Sequence, residues 1–132
     1  MDFGSINLSA QAELHVRDIN GRLVYQDNGE PMTITLLSDD AEPVRRQERA
    51  ALNRRFANPS KIKLKMEDLE EEALDKLAVA TVAWAGFTRG GEPIPCEFHE
   101  IRKLYSEHRW LREQVDQFIG DRANFLTGSP SS

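Results

Sequence analysis

The stretch MEDLEEEALDKLAVATVAWAGF, Met66 to Phe87, decides the fold. Met66, Leu69, Ala73, Leu77, Ala80, Trp84 and Phe87 recur in steps of three and four, the spacing of one helical face. That spacing predicts a single long amphipathic helix across the whole stretch. Asp68, Glu70, Glu71 and Glu72 fall in its early turns, where carboxylates interact favourably with the positive end of the helix dipole. From Leu77 onward the sequence is apolar on most sides, so this half belongs at the centre of the core, with Trp84 as an anchor. Gly86 and then Gly90-Gly91 end the helix.

Upstream, Glu13 to Leu37 sets short alternating apolar runs around two turn signals, Asn20-Gly21 and Asp27-Asn28-Gly29. Leu14 and Val16, Leu23 and Tyr25, and Met32, Ile34 and Leu36 each share a face. The reading is an antiparallel hairpin or three-stranded meander, with Asn20-Gly21 as a type I′ turn in which both residues take positive φ. Ser38, Asp39, Asp40 and Pro43 then open a first helix from about Ala41 to Phe56, marked by Val44, Ala51, Leu52 and Phe56. Asn58-Pro59-Ser60 ends it, and Lys61 to Lys65 reads equally as linker or short strand. No internal repeat is visible.

Downstream, Thr88 to Pro95 holds two glycines and two prolines and reads as a tight reversal. Phe98, Ile101, Leu104 and Tyr105 mark a short helix; Leu111, Val115, Phe118 and Ile119 mark another, ending near Phe125. The polar tail 127–132 reads as disordered. The expectation is one α+β domain over residues 1–126, β-rich at 12–37 and with about four helices in 41–126.

Composition narrows the function. The chain has 132 residues, 39% hydrophobic and 30% charged, with a net charge of −5, the profile of one ordinary mildly acidic domain. No apolar run approaches the roughly 20 residues of a membrane span, and the N-terminus MDFGSINLSAQAE lacks the basic and apolar parts of a secretory signal, so a cytoplasmic protein is expected. One cysteine, Cys96, supports neither an internal disulfide nor a multi-cysteine zinc site. GxSxG, HExxH, P-loop and GxGxxG are all missing, so no enzyme is expected and no catalytic, metal or cofactor residue is assigned. Cys96 and His99 stand three apart, a spacing open to a nucleophile and base, yet nothing nearby would orient such a pair. His15 and His108 show no metal-ligand spacing.

Charge is segregated. Between positions 45 and 65, Arg45, Arg46, Arg49, Arg54, Arg55, Lys61, Lys63 and Lys65 face only Glu48, a local net of +7. Between 67 and 76, six carboxylates from Glu67 to Asp75 face only Lys76, a local net of −5. Pairing of the two runs is the expected outcome, which makes a nucleic-acid surface on Arg45 to Lys65 the minority reading. No aromatic residue sits among the basic ones before Phe56, so no stacking platform is offered. Trp84, Phe87, Phe98, Tyr105, Trp110, Phe118 and Phe125 should mostly be core, and any left exposed would mark a partner surface.

The segment AVATVAWAGFTRGGEPIPCEFHEIRKLYSEHRWLREQVDQFIGDRANF resembles the small tail assembly proteins of long-tailed bacteriophages. Their pattern is an apolar helix ending in Trp-x-Gly, a Gly- and Pro-containing loop, a helix with spaced apolar residues, and a last helix closing on Asn-Phe. Trp84, Gly86, Gly91, Pro93, Pro95, Phe98, Leu104, Val115, Asn124 and Phe125 hold those positions. The Gly-x-x-x-Tyr stretch ending at Tyr25 and the run Gly-Glu-Pro-Met-Thr-Ile-Thr-Leu are similar to the β-rich start of such proteins, while Cys96 replaces the Ser or Thr expected to cap the third helix.

The resemblance implies a tail assembly chaperone, a non-catalytic cytoplasmic protein of the infected cell. It would bind the tape measure protein, recruit tail tube subunits and normally be absent from the finished virion; whether it forms a homo-oligomer stays open. In that family a longer frameshifted form can also be made. The rivals are a structural virion subunit of the tail or head-tail connector, and a small nucleic-acid-binding regulator.

Overall fold

The computed structural model describes residues 2–57 and 66–126. Its elements are β1 (Gln11–His15), β2 (Thr33–Leu37), α1 (Glu42–Ala57), α2 (Met66–Ala80), β3 (Thr81–Ala85), β4 (Thr88–Arg89), β5 (Glu92–Pro93), α3 (Phe98–Glu107) and α4 (Arg109–Gly120). Short 3-10 turns occupy Phe3–Ser5 and Arg122–Phe125. The architecture is α+β: a three-stranded antiparallel sheet in the order β1-β2-β3 with four α-helices. Residues 58–65 and 127–132, and with them the expectations for Lys61 to Lys65 and for the tail, lie outside the described residues. Among the described residues no helix is long and apolar enough to cross a membrane.

The hairpin of β1 and β2 is present, with Leu14 opposite Ile34 and Ala12 opposite Leu36. The sheet's third strand comes from the stretch expected to finish the long helix, which corrects the reading of Met66 to Phe87. The helix stops at Ala80, and β3 pairs antiparallel with β2, Trp84 opposite Ile34 and Thr81 opposite Leu36. Thr81, Val82 and Trp84 favour extended backbone, and β2 offers a ladder that a continuing helix would leave unpaired. Ala80, Trp84 and Phe87 match helical spacing while also fitting a strand followed by a turn.

Thr81 makes the change of conformation cleanly. Its hydroxyl, 2.8 Å from the Leu77 carbonyl, donates to a group left over by the end of the helix. The Tyr105 hydroxyl lies 2.7 Å from the same Thr81 oxygen and donates to it in turn. Both side chains are buried, and each is satisfied.

The connection from β1 to β2 carries a repeat that composition and pattern did not reveal. Val16-Arg17-Asp18-Ile19-Asn20-Gly21-Arg22-Leu23 and Val24-Tyr25-Gln26-Asp27-Asn28-Gly29-Glu30-Pro31 are two copies of one hairpin. Arg17 bridges Leu23 as Tyr25 bridges Pro31. The Gly21 N–H donates to Asp18 C=O at 2.9 Å, as Gly29 does to Gln26. Asn20 keeps negative φ and only Gly21 is positive, at 81°, so the expected type I′ turn is instead a three-residue loop ending in a glycine bulge. A two-residue turn with both φ positive occurs elsewhere, at Gly90 and Gly91 between β4 and β5. Three backbone bonds tie the copies together. Val24 N–H donates to Val16 C=O, Met32 N–H to Val24 C=O and Val16 N–H to Met32 C=O, at 2.9 to 3.0 Å.

One core joins the layers: Ile34 and Leu36 from the sheet meet Val44 of α1, Leu74 and Leu77 of α2, Tyr105 of α3 and Val115 of α4. Trp84 is only half-buried. Its indole N–H donates to the Ile94 carbonyl at 2.9 Å and its ring stacks on Phe87 with centroids 4.8 Å apart. The last helix ends at Gly120, short of the expected Phe125. Asp121 accepts from the Ala123 N–H to start the 3-10 turn, which buries Phe125 against Phe118. Glu97, rather than Cys96, is the N-cap of α3, with no side-chain cap bond.

Candidate protein-docking groove

The segregated charges meet other partners than expected. Arg55 of α1 pairs with Glu72 of α2, but Arg102 of α3 takes Glu71 and Asp75, and Arg112 of α4 takes Glu70 at 3.1 Å. The acidic run of α2 therefore holds α3 and α4 in place. Lys76 of α2 reaches Asp39 at 2.8 Å and Glu48 at 3.1 Å. Burial alone would lower the Lys76 pKa, but these two carboxylates together hold it above the ordinary lysine range. Of the basic run, Arg45, Arg46 and Arg54 are exposed and form no ion pair among the described residues.

Apolar side chains gather on the surface where α1 ends and α2 begins. Leu52 is 47% exposed, Phe56 79%, Met66 83% and Leu69 42%. Sequence spacing had placed all four on core-facing stripes. The buried side chains of α1 are Val44 and Ala51, and those of α2 begin at Leu74, so each helix turns its apolar stripe from core to solvent near this end.

Two troughs flank this part of α2. One, of about 360 Å³, lies between α1 and α2 over Ala51, Leu52, Leu69 and Ala73, with the Arg55–Glu72 and Lys76–Glu48 pairs crossing it. The other, of about 530 Å³, lies between α2 and α4 over Met66, Leu69, Ala73 and Leu77. Leu69 and Ala73 line both. Apolar floors with charged walls suit an amphipathic helix laid along α2.

Cys96 and His99 are not joined by a hydrogen bond. Cys96 is half-buried, and burial pushes its thiol up, away from the reactive thiolate. His99 is exposed. His15 donates from Nε2 to the Val24 carbonyl at 2.9 Å, with its ring edge-on to Tyr25 at 5.0 Å. His108 stands between α3 and α4, 6.1 Å from the Trp110 ring. Among the described residues no group of three or more His, Cys, Asp or Glu is arranged to hold a metal ion. Tyr105 and Phe125 are core and Trp110 and Phe118 half-buried, while Phe98 is half-exposed at the start of α3.

Comparison of the chain with protein-family models, with curated proteins and with solved structures finds no match.

Proposed function

We propose that this protein acts by binding, as a tail assembly chaperone of a long-tailed bacteriophage. It holds a helical segment of the tape measure protein on the troughs beside α2 while tail tube subunits are recruited. The observation that carries this reading is that the exposed apolar side chains Leu52, Met66 and Leu69 line troughs of about 360 and 530 Å³ beside α2, with Phe56 exposed at the end of α1. The sequence resemblance from Trp84 to Phe125 supports the family, although Trp84 lies in β3 and Asn124-Phe125 in a 3-10 turn, where the family pattern has helix ends.

The test is co-expression with the tape measure and tail tube proteins encoded beside this chain, followed by affinity pull-down at moderate and high salt. A complex stable in high salt is expected, because an apolar contact is not screened. Phe56→Glu with Met66→Glu should weaken it at least tenfold while leaving the fold intact, since both side chains already face solvent. Recovery indifferent to the double variant would remove the groove from the reading, and finding the protein built into purified particles would favour a structural subunit.

Arg45, Arg46 and Arg54, which form no ion pair among the described residues, favour a second reading, a nucleic-acid contact on α1. Binding through them would lose affinity steeply with salt, by close to one logarithmic unit of slope per phosphate contacted. The same pull-down at two salt concentrations separates the two.

A further inference from the structure

The two troughs beside α2 differ in the charge their walls carry. Over the narrower one, between α1 and α2, every charged group has a partner: Arg55 takes Glu72, and Lys76 takes Glu48. The wider one, between α2 and α4, is unbalanced. Arg112 pairs with Glu70 at 3.1 Å and Arg109 with Glu113 at 3.2 Å, all four within its own walls. Glu67 of α2 and Asp116 of α4 are left over, one on each wall, exposed and in no ion pair among the described residues.

The shape of the wider trough suits a helix. Its floor follows α2 through Met66, Leu69, Ala73 and Leu77, a run of about 16 Å or three turns at the helical rise. Ala73 is exposed, and its short side chain between Leu69 and Leu77 leaves room for a larger one from a partner. A trough with surplus carboxylates and an apolar floor draws in cations and repels anions.

We propose, resting on the binding role given above, that the occupant of the wider trough is a cationic amphipathic helix. Its apolar stripe lies on the floor from Met66 to Leu77, and a lysine or arginine stands beside each of Glu67 and Asp116. An acidic helix with the same apolar stripe meets two like charges and is rejected. Both carboxylates face solvent, so they act on the encounter: such rim charges set the association rate and the choice of partner, while the apolar floor sets how long the partner stays. Salt therefore slows formation of the complex without dissolving it.

Stopped-flow mixing of the purified chain with a fluorescently labelled helical peptide of leucine and lysine, and with its leucine–glutamate counterpart, tests this. The lysine peptide should associate roughly tenfold faster at low salt, and the difference should fade near 1 M, where charges are screened within about 3 Å. Glu67→Gln with Asp116→Asn should slow its association about fivefold and leave its dissociation nearly unchanged. Asp27→Asn with Glu30→Gln removes the same charge from exposed positions on the hairpins and should leave both rates near their original values. Met66→Ala with Leu69→Ala, also at exposed positions, should instead speed dissociation about tenfold. A faster glutamate peptide, an unchanged association rate in Glu67→Gln with Asp116→Asn, or an equal slowing by the hairpin pair would each overturn the inference. If dissociation still responds to Met66→Ala with Leu69→Ala in that case, the groove stands and its charge preference falls; if neither rate responds to either pair, the groove reading falls with it.

Discussion

Tyr105→Ala is expected to destabilise the fold by about 4 kcal/mol, within the range for deleting a large buried aromatic side chain. Tyr105 is fully buried and is among the largest side chains so placed. Its removal opens a cavity among α2, α3 and the sheet and takes one partner from the Thr81 hydroxyl, which keeps its bond to Leu77. For a domain of this size the melting temperature should fall by roughly 12 °C. Urea unfolding followed by the fluorescence of Trp84 and Trp110 measures the change, and a loss below about 1.5 kcal/mol would contradict the packing described. Tyr105→Phe keeps the ring and loses the hydroxyl, at about 1 kcal/mol.

The same side chain sets an alkaline limit. Burial holds the Tyr105 phenol above its ordinary pKa. The unfolded chain gives up this proton near pH 10, while the folded chain retains it. The stability is therefore fully present below about pH 10 and falls as pH rises further, by at most about 1.4 kcal/mol per unit. Tyr105→Phe should flatten that part of the profile.

Gly86→Ala should cost about 3 kcal/mol, for two reasons that can be separated. Gly86 has φ of 93°, a conformation that L side chains rarely adopt, and a Cβ there would lie 2.7 Å from Gln26 Cγ and 3.3 Å from Met32 Cγ. Here the chain leaves β3 directly against the repeated hairpins. Gln26→Ala alone loses its bond to the Pro31 carbonyl, 3.0 Å away, at about 1 kcal/mol. In the double variant the close approach to Gln26 is gone while the Met32 contact and the backbone strain remain, so the two changes should together cost about 1 kcal/mol less than their sum. A neutral Gly86→Ala would mean that neither the φ nor the close approach is right.

Local periodicity carried much of the architecture. The spacing of Phe98, Ile101, Leu104 and Tyr105, and of Leu111, Val115 and Ile119, gives α3 and α4 because each helix buries one stripe against a single core. The α+β class followed from the turn signals before Leu37 and the helical spacing after it. The end of α2 was hidden for a physical reason: a run apolar on all sides has no phase, and only the unpaired ladder of β2 decides that Thr81 to Ala85 extends. The exposed apolar side chains where α1 ends and α2 begins were hidden by a related one. Spacing shows that Leu52, Phe56, Met66 and Leu69 share faces with buried residues, yet not how far along each helix its cover reaches. The octad repeat did leave a signal, Asn-Gly twice at the same distance from a valine, but eight residues are too few to stand out without the backbone bonds that close it.

The ring of bonds at Val16, Val24 and Met32 bears on the order in which the sheet assembles. Without it, β1 would search for β2 across the whole of residues 16–32. With it, the search divides into two short closures nucleated by Asn-Gly turns, each a microsecond-scale event. Once both have closed, His15 already stands opposite Thr33, and the rest of the ladder can zip from that end. A long connection thereby behaves kinetically as a short one, leaving the arrival of β3, from far along the chain, as the slow step.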